Sequence, residues 1–199
     1  MSRKPNATIE SVTNLASGFL KLNRYVISVD RHDGGRRTIT WELMERGHSV
    51  GVLGYDPNRD EVVLVNEMRP GALAAGDYPF LEQLVAGALQ EGEPIIDAAV
   101  REMKEETGLD LVDPVVIHPG AYASSGGTTE KIAIVFGKVD TSRAGGVHGA
   151  DENEDILTVV RPAEDFIRAV RTGEITDMKT LVAGYWLAEH REAQRKPRG

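Results

Sequence analysis

The sequence contains no cysteine in 199 residues. That absence excludes disulfides, thiolate zinc sites and cysteine nucleophiles. It also lacks any apolar run long enough to span a bilayer, and its opening, MSRKPNATIE, lacks the apolar stretch of a secretory leader. Cytoplasm is the expected location, so the glycosylation sequon Asn6-Ala7-Thr8 carries no meaning. Basic residues are in short supply: 23 Lys and Arg against 31 Asp and Glu give a formal net charge of −8. Non-specific binding to nucleic acid or to an anionic membrane is disfavoured, because phosphate contacts need Lys and Arg. A small anionic ligand held through a metal is not. There are no internal repeats and no low-complexity block. His48, His118 and His148 show no paired metal-ligand spacing and are assigned no role.

What is present reads as one domain with an appended element. Residues 1–12 read as a loose terminus. The run 22–45 reads as two strands around the turn HDGG. HSVGVLGYD and EVVLVNEMR form a second apolar pair across Pro57-Asn58-Arg59-Asp60, and PVVIHPGAYA and EKIAIVFGKVD a third across SSGGTTE. Helix dominates the C-terminus: PAEDFIRAVRTG runs from Pro162 to Gly173, and DMKTLVAGYWLAEHREAQRK follows. Strands, helix, strands, helices in that order predict a mixed α+β sandwich.

The stretch GALQEGEPIIDAAVREMKEETGLDL, residues 87–111, carries the chemistry. Pro94 suits the first turn of a helix and Gly108 suits its end. Ile96, Ala99, Val100 and Met103 fall at i, i+3, i+4 and i+7, an apolar stripe facing a core. Glu102, Glu105 and Glu106 crowd a patch roughly a third of a turn away. Like charges at that spacing repel, and the end of a helix already carries partial negative charge. Two readings follow. The cluster is a solvated acidic face partnered by Arg101 and Lys104, or a divalent cation relieves the repulsion, since carboxylate oxygens are the ligands Mg²⁺ and Mn²⁺ prefer.

The spacing separates them. Gly87, Glu93, Arg101-Glu102, Glu105-Glu106 and Gly108, with apolar residues between, resemble the Nudix box at every defined position. The segments ERGHSVGVL, DEVVLVNEMRPG, LVAGALQEGE, SGGTTEK, GVHGADENEDI and TGEITDMKT are similar to the ADP-ribose pyrophosphatase branch of that family. The resemblance implies an α/β/α fold, a mixed sheet between helices, preceded by an N-terminal β-hairpin. Residues 1–45 would form a tail and dimerising hairpin that exchanges with a second subunit to complete the adenosine pocket. Residues 46–199 would form the hydrolase domain.

It further implies that Mg²⁺ or Mn²⁺ is held by Glu102, Glu105, Glu106, the Ala86 carbonyl and Glu154. Glu152, in ADENED, would activate water once its loop closes, with Glu105 as the alternative base. Arg101 would orient a carboxylate. Arg69, Gly126, Gly127, Glu130 and Arg37, the last with its neighbour Arg36, would contact substrate. Taken alone, ADENED reads as a solvated loop flanked by Gly145, Gly146 and Gly149, Arg69 as a surface arginine, and Gly126-Gly127 as a turn. Two positions depart from the branch: Ser125 stands where proline is usual before the glycine pair, and Gln83 stands where glutamate is frequent. The implied activity is hydrolysis of a nucleoside diphosphate sugar, ADP-ribose first, giving AMP and ribose 5-phosphate. The rival within enzymes is a GDP-mannose or other nucleotide-sugar pyrophosphatase, because TGEITDMKTL fits that branch too. The rival of another class is a non-catalytic ADP-ribose-binding regulatory module. The intact glutamates and the lack of an appended helix-turn-helix segment oppose it.

Overall fold

The structure is a computed structural model that describes residues 4–149 and 155–195. It divides into two compact units, one of residues 1–48 and 122–131, the other of 49–121 and 132–199.

The first unit holds an antiparallel three-stranded sheet in the order β1 (Ala7–Ser17), β2 (Lys21–Asp30), β3 (Arg36–Glu45). β2 and β3 are the two strands expected around HDGG. β1 corrects the expectation of a loose terminus at 1–12. Its apolar residues Ile9, Val12 and Leu15 recur every third position, which hides a strand from a search for alternation. The register explains this: it shifts between Ile9 and Ser11 and between Asn14 and Ala16. Each bulge inserts one residue, so Ile9 opposes Ile27 and Val12 opposes Tyr25 on one face.

The second unit is built on β4 (Ser49–Asp56), β5 (Glu61–Met68), α1 (Pro70–Ala75), β6 (Phe80–Gln83), β7 (Val85–Ala88), α2 (Ile95–Thr107), β8 (Val112–Tyr122), β9 (Lys131–Lys138), β10 (Val147–His148), β11 (Ile156–Pro162), α3 (Ala163–Thr172) and α4 (Met178–Arg195). The main path of the sheet runs β10-β11-β5-β4-β9-β8, with β6 on β5 and β7 on β4. β4 pairs with β9 in parallel and with β5 and β7 antiparallel, so the sheet is mixed. Its central strands are apolar on both faces because both faces are covered. Val50, Val52, Val63 and Val65 pack with Ala98, Ala99 and Met103 of α2. Leu53, Val62 and Leu64 pack with Phe166 of α3 and with Ala183 and Leu187 of α4. This is the expected α+β arrangement, a mixed sheet between helices.

Helix ends follow the sequence. Pro162 precedes α3, and Gly173 ends it in the left-handed conformation. Pro94 precedes α2 rather than opening its first turn, and Gly108 terminates it at φ 71°. α1, β6, β7, β10 and β11 were not expected. All are short except β11, whose residues directly follow the acidic run.

Candidate active site

The inward face of α2 differs from the apolar stripe read in the sequence. Val100 is 39% exposed, and Ala98 takes its place in the core. Glu102 and Glu106 lie on the buried face, 7% and 8% exposed, beside Met103. A stripe of 99, 102, 103 and 106 is as helical as 96, 99, 100 and 103, and hydropathy alone favours the second. What admits carboxylates is β7. A Cβ on Gly87 would fall 1.8 Å from Glu102 Oε1, so only glycine leaves room for that carboxylate against the strand. One residue earlier, the Ala86 N–H donates to Glu106 Oε2 at 3.2 Å. Two glutamates are thereby drawn onto consecutive residues of one strand.

Arg101 organises the rest of the turn. Its Nε and Nη2 donate to both oxygens of Glu93 at 2.9 and 3.0 Å, a two-point pairing, and Nη2 also reaches the Ala88 carbonyl at 3.2 Å. Nη1 lies 2.7 Å from Glu102 Oε1 and 3.0 Å from Glu105 Oε2. The Glu93 hydrogen bond chiefly raises the arginine pKa above its ordinary value, against the cost of burial, and Arg101 holds Glu93 below the usual carboxylate range. One guanidinium thus bridges three carboxylates and relieves part of the repulsion that the sequence implied. Glu105, with a side chain 48% exposed, faces outward. Lys104 takes no part in the cluster. It donates to the Gly108 carbonyl at 3.0 Å and to Asp110 at 2.8 Å, closing the helix end.

Glu152 and Glu154 lie outside the described residues. The strands that flank them do not: His148 pairs with Ile156. Both strands run beside the last turn of α2, where Thr158 Oγ1 donates to the Glu106 carbonyl at 3.4 Å and His148 Cε1 would sit 3.3 Å from a Cβ on Gly108. The strand ends on either side of ADENED therefore lie next to the last turn of α2, although they are some 40 to 50 residues away in sequence.

The other candidates fall in two places. Arg69 follows β5 in the second unit, its Nη1 3.1 Å from Glu67 Oε2. Arg37, Gly126, Gly127 and Glu130 belong to the first unit. Arg37 is exposed on β3, opposite Val29. Arg36 pairs with Asp30 at 3.3 Å. The SSGG loop is tied to β3: Trp41 Nε1 donates to the Gly126 carbonyl at 2.6 Å, and the Met44 N–H donates to the Gly127 carbonyl at 2.9 Å. Glu130 is buried, with Arg46 at 3.7 Å. An open groove of about 460 Å³ beside β6 is lined by Tyr78, Phe80, Glu82, Arg161 and Glu174 among others, but by no box carboxylate.

A family model described as "NUDIX domain" matches residues 45–178. The chain belongs to the Nudix hydrolase family. This Nudix enzyme is 38% identical over 194 residues to a protein named ADP-ribose pyrophosphatase from Escherichia coli K12, covering 96% of this chain and 91% of that one. It is 29% identical over 178 residues to a protein named GDP-mannose pyrophosphatase from Salmonella typhimurium, covering 88% and 92%. A solved structure titled "Crystal structure of ADP compounds hydrolase" superposes with a TM-score of 0.72 over 97% of each chain; at 21% identity that likeness shows the fold.

The side chains of TGEITDMKT, whose roles no sequence pattern reveals, hold the start of α4 against β6 and β7. Asp177 caps α4, accepting from the Thr180 N–H at 3.0 Å. Thr180 Oγ1 accepts from the Leu84 N–H at 2.9 Å. Lys179 reaches Gln83. The motif clamps the strand just ahead of Ala86 and Gly87. No sequence signal could pair Lys179 with Gln83, because the contact spans 96 residues.

Proposed function

We propose that this Nudix hydrolase is a Mg²⁺-dependent ADP-ribose pyrophosphatase yielding AMP and ribose 5-phosphate. The observation that carries the substrate is the near-full-length likeness to the Escherichia coli relative of that name. The intact acidic turn of α2 supplies the chemistry.

The donor set fits a hard divalent cation. Every candidate ligand is an oxygen: Glu102, Glu106 and the Ala86 carbonyl, with Glu105 and Glu154 in support. Among the described residues no group of three or more acidic or histidine side chains converges to hold a metal alone. Mg²⁺ keeps water and substrate phosphate oxygens in its shell instead of filling an all-protein cage. When bound, such ions neutralise a diphosphate, acidify an attacking water and stabilise the departing oxygen.

The chain's own residues do the remainder. Arg101 fixes the carboxylates of Glu102 and Glu105. Gly87 keeps the strand out of the way of Glu102. Arg69 presents a planar guanidinium to a substrate phosphate. Glu152 takes the proton of the attacking water as its loop closes. Arg37, Gly126, Gly127 and Glu130 contact the nucleoside and sugar.

Residues 1–45 act as the dimerising element, with residues 46–199 as the hydrolase domain. Ile9, Val12, Phe19 and Trp41 are exposed on the first unit, and a second copy of the chain covers this element in a twofold dimer. Light scattering at micromolar concentration is expected to give twice the mass of the chain. A fully active monomer contradicts it.

The second reading, GDP-mannose as substrate, is favoured by the Salmonella relative and by the segment TGEITDMKTL, and Ser125 and Gln83 depart from the ADP-ribose pattern. Rates decide between the two. The ratio kcat/KM is expected to be at least ~10-fold higher for ADP-ribose than for GDP-mannose, a difference of about 1.4 kcal/mol in transition-state binding. The reverse ratio moves the assignment to the sugar nucleotide.

A further inference from the structure

In the second unit, a row of polar side chains runs from the start of α4 to the end of β5. Gln83 of β6 opposes Val65 of β5, which sets it diagonal to Glu67 on the same face. Gln83 is 1% exposed. Its Oε1 accepts from the Lys179 ammonium at 2.9 Å, and its Nε2 donates to Glu67 Oε2 at 3.1 Å. Glu67 in turn holds the Arg69 guanidinium. At the far end Lys179 is paired with Asp177 at 2.9 Å. Charge alternates along the row: Asp177 negative, Lys179 positive, Gln83 neutral, Glu67 negative, Arg69 positive. Burial pushes the Lys179 pKa down, and the Asp177 charge opposes that shift.

An amide is the side chain this row requires at position 83. It must accept from a cation on one side and donate to an anion on the other. A carboxylate there would face Glu67 with no proton between them and leave the row one negative charge in excess. An apolar residue would take one partner from Lys179 and one from Glu67, at a position where the side chain is itself 1% exposed.

We propose that Gln83 is a positioning residue: its amide couples Lys179 to Glu67 and thereby fixes Arg69 in the orientation that receives the substrate diphosphate. The proposal rests on the function given above for Arg69, and Gln83 itself touches no substrate. Three variants of the full chain test it: Gln83→Glu, Glu67→Gln and the double exchange. Each single change is expected to raise KM for ADP-ribose about tenfold, the scale of one unsatisfied buried polar group, with kcat changed much less. The double exchange restores both charge balance and donor direction. Lys179 then donates to a carboxylate at 83, the amide at 67 donates to that carboxylate, and its carbonyl accepts from Arg69. KM should return to within about threefold of the native value, a non-additivity expected only of side chains acting together. Metal-free calorimetric titration with ADP-ribose should show the same pattern in affinity. Single variants with KM within about twofold of native, or a double exchange no better than the worse single, overturn the proposal. Native protein that neither binds nor cleaves ADP-ribose sinks the functional reading and the relay with it. Native binding that Gln83→Glu leaves unmoved sinks the relay alone.

Discussion

Glu152→Gln is expected to lower turnover by ~10²–10⁴-fold, the usual range for loss of a general base. Substrate affinity and metal binding should stay near native, because a base acts in the transition state whereas a metal ligand already acts in the ground state. The expectation comes from combining two observations. ADENED resembles the segment that supplies the base in this branch of the family, and its flanking strands, β10 and β11, start and finish beside the last turn of α2. A Mg²⁺ titration of the rate distinguishes the roles. Glu154→Gln should raise the Mg²⁺ concentration needed for half-maximal rate, and Glu152→Gln should not. Near-normal turnover of Glu152→Gln would transfer the base to Glu105, which needs no loop movement.

Glu106→Gln is expected to lower turnover by at least ~10²-fold, the scale on which a well-placed electrostatic group acts. The fold should survive. A glutamine carbonyl can still accept from the Ala86 N–H that now reaches Glu106 Oε2, and one fewer charge on the turn relieves repulsion with Glu102. Turnover at saturating Mg²⁺ against urea stability checks both halves. Unchanged turnover would remove Glu106 from the metal site.

The box was legible because its constraints are local. Pro94, Gly108 and a helical period fix α2, and the acidic residues announce themselves by opposing the charge preferences of a helix end. Which glutamates turn inward was not local. It depends on Gly87, a residue of another element, whose missing side chain receives Glu102. Arg101 was read as a partner of the acidic face, and it reaches further, to Glu93 and the Ala88 carbonyl. β1 was missed because two bulges disguise its period. The Gln83–Lys179 contact was illegible for a plainer reason: buried polar pairing between distant strands and helices leaves no pattern in hydropathy. Gln83 nonetheless stood out as a departure from the family, and the structure gives that departure a setting, between a partly buried lysine and a glutamate.

The most direct test of the central claim is product analysis. Purified protein is incubated with ADP-ribose and Mg²⁺, with and without EDTA, alongside a panel of nucleotide sugars. The account predicts AMP and ribose 5-phosphate in equal amounts from ADP-ribose, abolished by the chelator. No cleavage of any nucleoside diphosphate sugar with Mg²⁺ present, or cleavage that EDTA leaves intact, would contradict it.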